Sequence, residues 1–393
     1  MLNLKKQTKN GTGGKSTDMT DFLTEEQAGR IVDAYLENEK PSPSTQDILD
    51  SGAVPRLKGY RARPGKVSDC IFGGRGDYLF KQKGQPPQKI EFENPPLDTR
   101  TGEPLILMVR TARISTHDIN RGVIPLKDQI LAMNHHYMAR MLAHAIGTSQ
   151  FAVPGLSDNS VVIAAEKLAQ LGFENVLRAF MAKSTTETSL YVHYMRGERE
   201  FCGHRLPEGL VANGPLPYVM DTPSTKSDEH DESLSSAQLV ERGICTPEQY
   251  AQIRNNSIFA FGIVDHFLRS KGIIPVDTKT EHGINRRGEI VVQDEVWTMD
   301  SSRFWLEGDY AEQMRQFLAR QIGELNPKSY SKEFARGFSE GDRGYTQEQR
   351  ALIAVRYIMG IQSLLGQRFE PDTRSREERV VTGLNRCLDC LVG

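Results

Sequence analysis

The chain has 393 residues, with 49 Lys and Arg against 51 Asp and Glu, a formal net charge of −2 and 25% charged residues. That balance excludes a bulk electrostatic hold on nucleic acid or an anionic membrane and points to small-molecule partners. The length is enough for two packed lobes, and no apolar run approaches the roughly 20 residues of a membrane span.

In chain order, residues 1–20 are polar, Gly-rich and basic and are expected to be disordered. The start lacks the apolar middle of a signal peptide, so a cytoplasmic protein is expected. "GTGGKST" imitates a phosphate loop, but that loop needs a glycine where Lys9 stands and a strand before it. A helix follows at "TEEQAGRIVDAYLENE", with Thr24 as N-cap. Short strands come next at "KVSDCIF", "DYLFKQ", "KIEFE" and "PLILMVRT", with the Pro-rich loop "NPPLDTRTGEP" before the last. "LKDQILAMNHHYMARMLAHAIG" has helical spacing, and its His135, His136 and His144 read as packing or surface histidines because no carboxylate completes a metal set. "SVVIAAEKL" and "GFENVLRAFMAK" are expected to be strands of a second sheet.

A polar stretch from Pro215 to Ser236 is too long for a simple turn. "TPEQYAQIRNNSIFAFGIVDHFLRSKG" then reads as a complete helix, with Thr246 as N-cap, Pro247 at the first helical position and Gly272 closing it. Strands "IIPVDTKTE" and "EIVVQDEV" around "NRRG" form a hairpin, and the remainder is mostly helical. Cys70, Cys202 and Cys245 stand alone, as reduced thiols do, and the Cys387/Cys390 pair lacks the partners of a zinc site. The division implied is a tail over 1–20, a β-rich lobe over 21–157 and a larger α/β lobe with a helical end over 158–393.

The chemistry collects at the hairpin. Strand side chains repeat every two residues, so Asp277, Lys279 and Glu281 share one face. Three charges beside an apolar partner strand need a cavity rather than a core. Glu281 and Asp294 approach across the hairpin and repel unless a cation lies between them. Hard oxygen ligands without histidine suit Mg²⁺ that keeps water and phosphate oxygens as its other ligands. Arg303 adds a planar fork for phosphate or carboxylate, and Ser301 and Ser302 add short donors. Elsewhere, "RPGKVSDCIF" puts Gly65 and Lys66 at a strand start, "RTARISTHD" groups Arg113, Ser115 and Asp118, and "TPSTKSDEHDES" carries Lys226, Asp231 and Glu232.

Together and in this order, these segments resemble the SAICAR synthetase family, the phosphoribosylaminoimidazole-succinocarboxamide synthases. The family's GKVRDIY, TDRISAFD, VRGYLTGS, LPEGL, TPSTK with HDE, DTKFEFG and DEVxTPDSSRFW stand here as "GKVSDCI", "TARISTHD", "LRAFMAKS", "LPEGL", "TPSTKSDEHDES", "DTKTEHG" and "DEVWTMDSSRFW". The resemblance implies an α+β fold of two lobes, the N-terminal one β-rich and the other a larger α/β lobe with a helical C-terminal tail, with ATP in the cleft between them. It implies an ATP-dependent ligase that joins L-aspartate to the carboxylate of carboxyaminoimidazole ribonucleotide through an acyl phosphate; a homo-oligomer is compatible with it. By family position Gly65 and Lys66 hold the nucleotide phosphates, and Glu281 and Asp294 hold Mg²⁺. Lys279, Asp277 and Asp231 are the catalytic candidates. Arg178 and Arg303, with Ser184 or Ser189, clamp the 5′-phosphate, while Arg113, Ser115, Asp118, Glu232 and Ser302 line the substrate side.

Several positions depart from the family pattern. Ser68 replaces an arginine and Ala112 an acid, so a charge pair is lost from both sides at once. Ala179, Ala182 and Lys183 replace Gly, Thr and Gly in the phosphate clamp, His282 replaces a phenylalanine and Met299 a proline. The altered clamp keeps two other readings open: a related ligase with a different carboxylate or amine, and a nucleotide-binding relative without turnover.

Overall fold

The computed structural model describes residues 21–39, 41–80, 88–97, 105–117, 119–186, 188–226 and 231–391. Two antiparallel sheets organise it. The first has four strands in the order Ala62–Pro64, Ser68–Phe72, Leu105–Arg110 and Val162–Glu166. Its middle strand, "LILMVR", is apolar almost throughout and buried on both faces, as a covered strand requires. Ile71, Leu107, Val109 and Val162 pack there against Ile48, Leu49 and Leu57 from the N-terminal extension and Val380, Leu384 and Leu388 from the last helix, Arg376–Leu391. Cys387 belongs to that same core while Cys390 on the helix is exposed, and both are free thiols.

The second sheet is built on two twelve-residue strands, Ala169–Phe180 and Ile273–Ile284, paired antiparallel. Pro215–Asp221 and Ser224–Thr225 extend it on one side, and Ile290–Gln293 and Ser302–Leu306 on the other. Helix Pro247–Arg269 covers one face. Thr246 caps it reciprocally with Gln249, Pro247 begins it, and Gly272 beyond its end takes the left-handed conformation at φ 70°.

Val162–Glu166, expected in the second sheet, pairs instead with Leu105–Arg110 in the first. A short apolar run states that it is buried but carries no mark of its partner. The chain passes from one sheet to the other at Lys167 and Leu168. Arg110, at the end of its strand and fully buried, donates from Nη2 to the Asp294 carbonyl at 2.8 Å and from Nη1 to Ser68 Oγ at 2.9 Å, tying the sheets together. Among the described residues no helix is long and apolar enough to cross a membrane.

Candidate functional site

The open face of the second sheet carries a continuous row of charge. Register pairs Asp277 with Arg178 and Arg303, Lys279 with Val176, and Glu281 with Glu174, so their side chains project from the same face. Arg303 Nη1 donates to Asp277 Oδ2 at 3.0 Å, and Arg178 Nη1 lies 3.7 Å from the same oxygen. Arg303 also approaches Glu333, and Arg178 Nε donates to Thr222 Oγ1 at 2.9 Å. Two guanidinium groups thus share one carboxylate. Burial works against the charge of Arg303, but Asp277 and Glu333 outweigh it and hold it above its usual range.

One turn of the pleat further on, Lys279 Nζ donates to Glu174 Oε1 at 2.5 Å and lies 3.5 Å from Glu281 Oε1. Lys226, from the long polar stretch, donates to the other Glu281 oxygen. Burial opposes the Lys279 charge, yet the two glutamates prevail and keep the ammonium above lysine's usual range. Burial and then the Asp294 charge push the Glu281 carboxyl up, against the pull of Lys279 and Lys226. The Asp294 charge thus acts on Glu281 across the hairpin. Asp294 is held in the left-handed region at φ 62°, an uncommon state for a non-glycine residue, by the Arg110 contacts to its carbonyl and carboxylate.

The segment before Ser68–Phe72 belongs to the first sheet, which Arg110 links to Asp294 while also bonding Ser68. Arg113 Nη2 donates to the Gly65 carbonyl at 2.6 Å and to Asp69 Oδ1 at 2.5 Å, so Arg113 pins the Gly65–Lys66 turn to the sheet. A Cβ on Gly65 would stand 2.5 Å from the Ser68 carbonyl oxygen, so glycine is required there. Asp69 in turn accepts from Thr45 of the N-terminal extension, whose hydroxyl is held by Arg376. Ser115 sits half-buried opposite Asn120 in a small hairpin, and Asp118 lies outside the described residues.

Some sequence candidates are placed elsewhere. Ser302 pairs with Thr278 and bonds its hydroxyl at 2.9 Å, on the face opposite Arg303, so it does not join the group. Neighbouring residues of a strand point to opposite sides, which makes Arg303 and Ser302 alternatives rather than partners. Glu232 is exposed and its carboxylate faces Arg242 at 2.7 Å, while Asp231 is exposed beside it. Ser184 accepts from Thr186 N, and Ser189 caps helix Leu190–Met195 through Val192 N. Both serines are buried just beyond the Arg178 strand.

Asp300, six residues beyond Asp294, carries its side chain in the core. It is locked between Lys127 Nζ at 2.7 Å and Tyr357 OH at 2.6 Å, with all three deeply buried. The histidines are structural as well. His135 accepts from Val296 N and meets Gln150, which also reaches His136. Two residues had escaped sequence reasoning, Glu174 in the row and Arg110 behind Asp294. Arg110 ends an apolar strand and Glu174 sits in one that reads as ordinary alternation, where only the register opposite Glu281 marks it as part of the site.

A family model described as SAICAR synthetase matches residues 99–351. A chloroplastic phosphoribosylaminoimidazole-succinocarboxamide synthase of Arabidopsis thaliana is 32% identical over 386 residues, covering 95% of this chain and 82% of the relative. A synthase of the same name from Legionella pneumophila is 32% identical over 298 residues, covering 73% of this chain and 91% of its own. Among solved structures, the Saccharomyces cerevisiae SAICAR synthase complexed with SAICAR superposes with a TM-score of 0.60 at 22% identity, over 79% of this chain and 97% of the other. A SAICAR synthetase in complex with ADP gives 0.53 at 19%, over 79% and 100%. At those identities the structures speak for the fold.

Proposed function

The chain belongs to the SAICAR synthetase family, and from that premise we propose that it joins L-aspartate to the carboxylate of carboxyaminoimidazole ribonucleotide with ATP, giving the succinocarboxamide, ADP and phosphate. The observation that carries this reading is the row Asp277, Lys279 and Glu281 with Glu174, Lys226 and the two arginines on one face of the second sheet.

A carboxylate resists attack by an amine because its oxygen is a poor leaving group. Transfer of the γ-phosphoryl group from ATP to that oxygen makes an acyl phosphate, and the aspartate nitrogen then attacks the carbonyl carbon and expels inorganic phosphate. The protein's part is positioning and charge stabilisation. Lys66 is assigned to the nucleotide phosphates. Arg178 and Arg303, held in place by Asp277, offer planar forks to the ribonucleotide phosphate. Lys279, kept charged by its glutamates, faces the negative charge that builds on the transferring group.

Magnesium fits the donor set. Glu281 and Asp294 are two carboxylates whose charges act on each other, and Mg²⁺ is commonly held by one or two protein carboxylates plus waters and phosphates. Bound there, it would neutralise phosphate charge. Asp231, Ser115, Ser184 and Ser189 are kept as substrate-side candidates. The test is ADP release with Mg-ATP, the ribonucleotide and L-aspartate, omitting each in turn. Turnover that requires all three supports the assignment, and turnover with another amine or carboxylate overturns it.

A further inference from the structure

Behind the charged row, on the face covered by helix Pro247–Arg269, the sheet carries a second polar layer that the proposed chemistry does not use. Asn175 and Thr280 are register partners, and His282 lies two residues beyond Thr280 on the same face. Asn175, Ser257 and His282 are all buried, at 0%, 3% and 2% exposure. Neither side-chain atom of Asn175, neither ring nitrogen of His282 and not the Ser257 hydroxyl has a hydrogen-bond partner among the described residues. Thr280 makes only a long contact, 3.5 Å, to the Asn175 carbonyl.

Asn175 and Thr280 lie at one level of this face, with His282 two residues further along. Phe173 packs on Tyr250 in one apolar cluster that includes Ile253, and Leu177 packs with Phe261 and Val264 in the other. On the strand Asn175 falls midway between Phe173 and Leu177, and on the helix Ser257 falls midway between Ile253 and Phe261. The polar layer is therefore the seam between two hydrophobic clusters.

We infer that this seam is an internal hydration site, in which ordered water bridges Asn175, Ser257 and His282. Buried polar groups are satisfied in folded proteins, and an internal water typically makes about three hydrogen bonds to groups that would otherwise go without. Asn175 offers two donors and an acceptor, neutral His282 one of each, and Ser257 both. The water backs the strand segment that presents Lys279 and Glu281 on its other side. The inference does not depend on the ligase assignment.

A high-resolution crystal structure of the full chain tests it. At least one ordered water within hydrogen-bond distance of both Asn175 and His282 is expected. A dry seam, or one in which the three side chains bond each other directly, would overturn it. Thermal melting of Ser257→Ala gives an independent sign. A hydrated seam loses a water partner and Tm falls by roughly 1–3 °C, whereas a dry seam loses an unsatisfied hydroxyl and Tm rises.

Discussion

Asp294 and Asp300 stand six residues apart in one short segment and do opposite work. Asp294 is 38% exposed, bent into the left-handed region by Arg110 and coupled to Glu281 at the mouth of the site. Asp300 is 1% exposed and serves as the counter-ion of a lysine and the acceptor of a tyrosine inside the core. Identical side chains thus diverge according to what the fold sets opposite them. A charged motif is a mixture of site and scaffold.

The comparison breaks first at Asp300. Asp300→Asn leaves the Lys127 ammonium buried without a counter-charge, and removing one partner of a buried pair costs about 3–5 kcal/mol. Denaturant unfolding should show that loss. Asp294→Asn should cost clearly less stability, since its carboxylate is partly solvated and Arg110 keeps the Asp294 carbonyl and Ser68 hydroxyl as acceptors, while ADP release falls roughly 100-fold or more, the scale of a lost charge-stabilising group. Equal stability losses in the two variants would erase the distinction.

Arg303→Ala sharpens the other side. It removes a fork and leaves Asp277 with Arg178 alone, so KM for the ribonucleotide should rise about 10- to 100-fold, with KM for ATP much less affected. An unchanged ribonucleotide KM would remove Arg303 from the clamp.

Proton linkage separates two further acids by sign. Burial pushes the Asp300 carboxyl up, but Lys127, Lys332 and the hydrogen bonds from Lys127 and Tyr357 prevail and hold it below the usual range. Its contribution to stability is present above the unfolded carboxylate pKa and is lost as pH falls through the lower folded value. The Glu281 carboxyl is pushed up by burial and Asp294, so its contribution is present at low pH and is lost as pH rises through the folded value. Without added metal, Glu281→Gln should therefore steepen the acid loss of stability, and Asp300→Asn should flatten it. Unfolding curves across the acid range measure both slopes.

Much of this was written in the sequence, for reasons that are local. Reciprocal caps and a Pro–Gly frame mark helix Pro247–Arg269, and alternation alone put Asp277, Lys279 and Glu281 on one face. Pairing over long separation was not written there. Val162–Glu166 could have joined either sheet, and Glu174 became visible only through its register with Glu281. Strand parity, by contrast, was available and already divided Ser302 from Arg303.

The smallest expected effect falls on Glu232, where the family resemblance and the geometry pull apart. Its position implies a substrate contact, yet its carboxylate is 57% exposed and turned toward Arg242. An exposed pair of this kind contributes from nothing to about 1 kcal/mol, so Glu232→Gln should leave melting almost unchanged. The deciding readout is KM for each of the three substrates. If all three hold, Glu232 is a surface residue in this chain. A rise confined to one substrate would mean that Glu232 exchanges Arg242 for that substrate on binding, so that the contact belongs to the complex rather than to the fold alone.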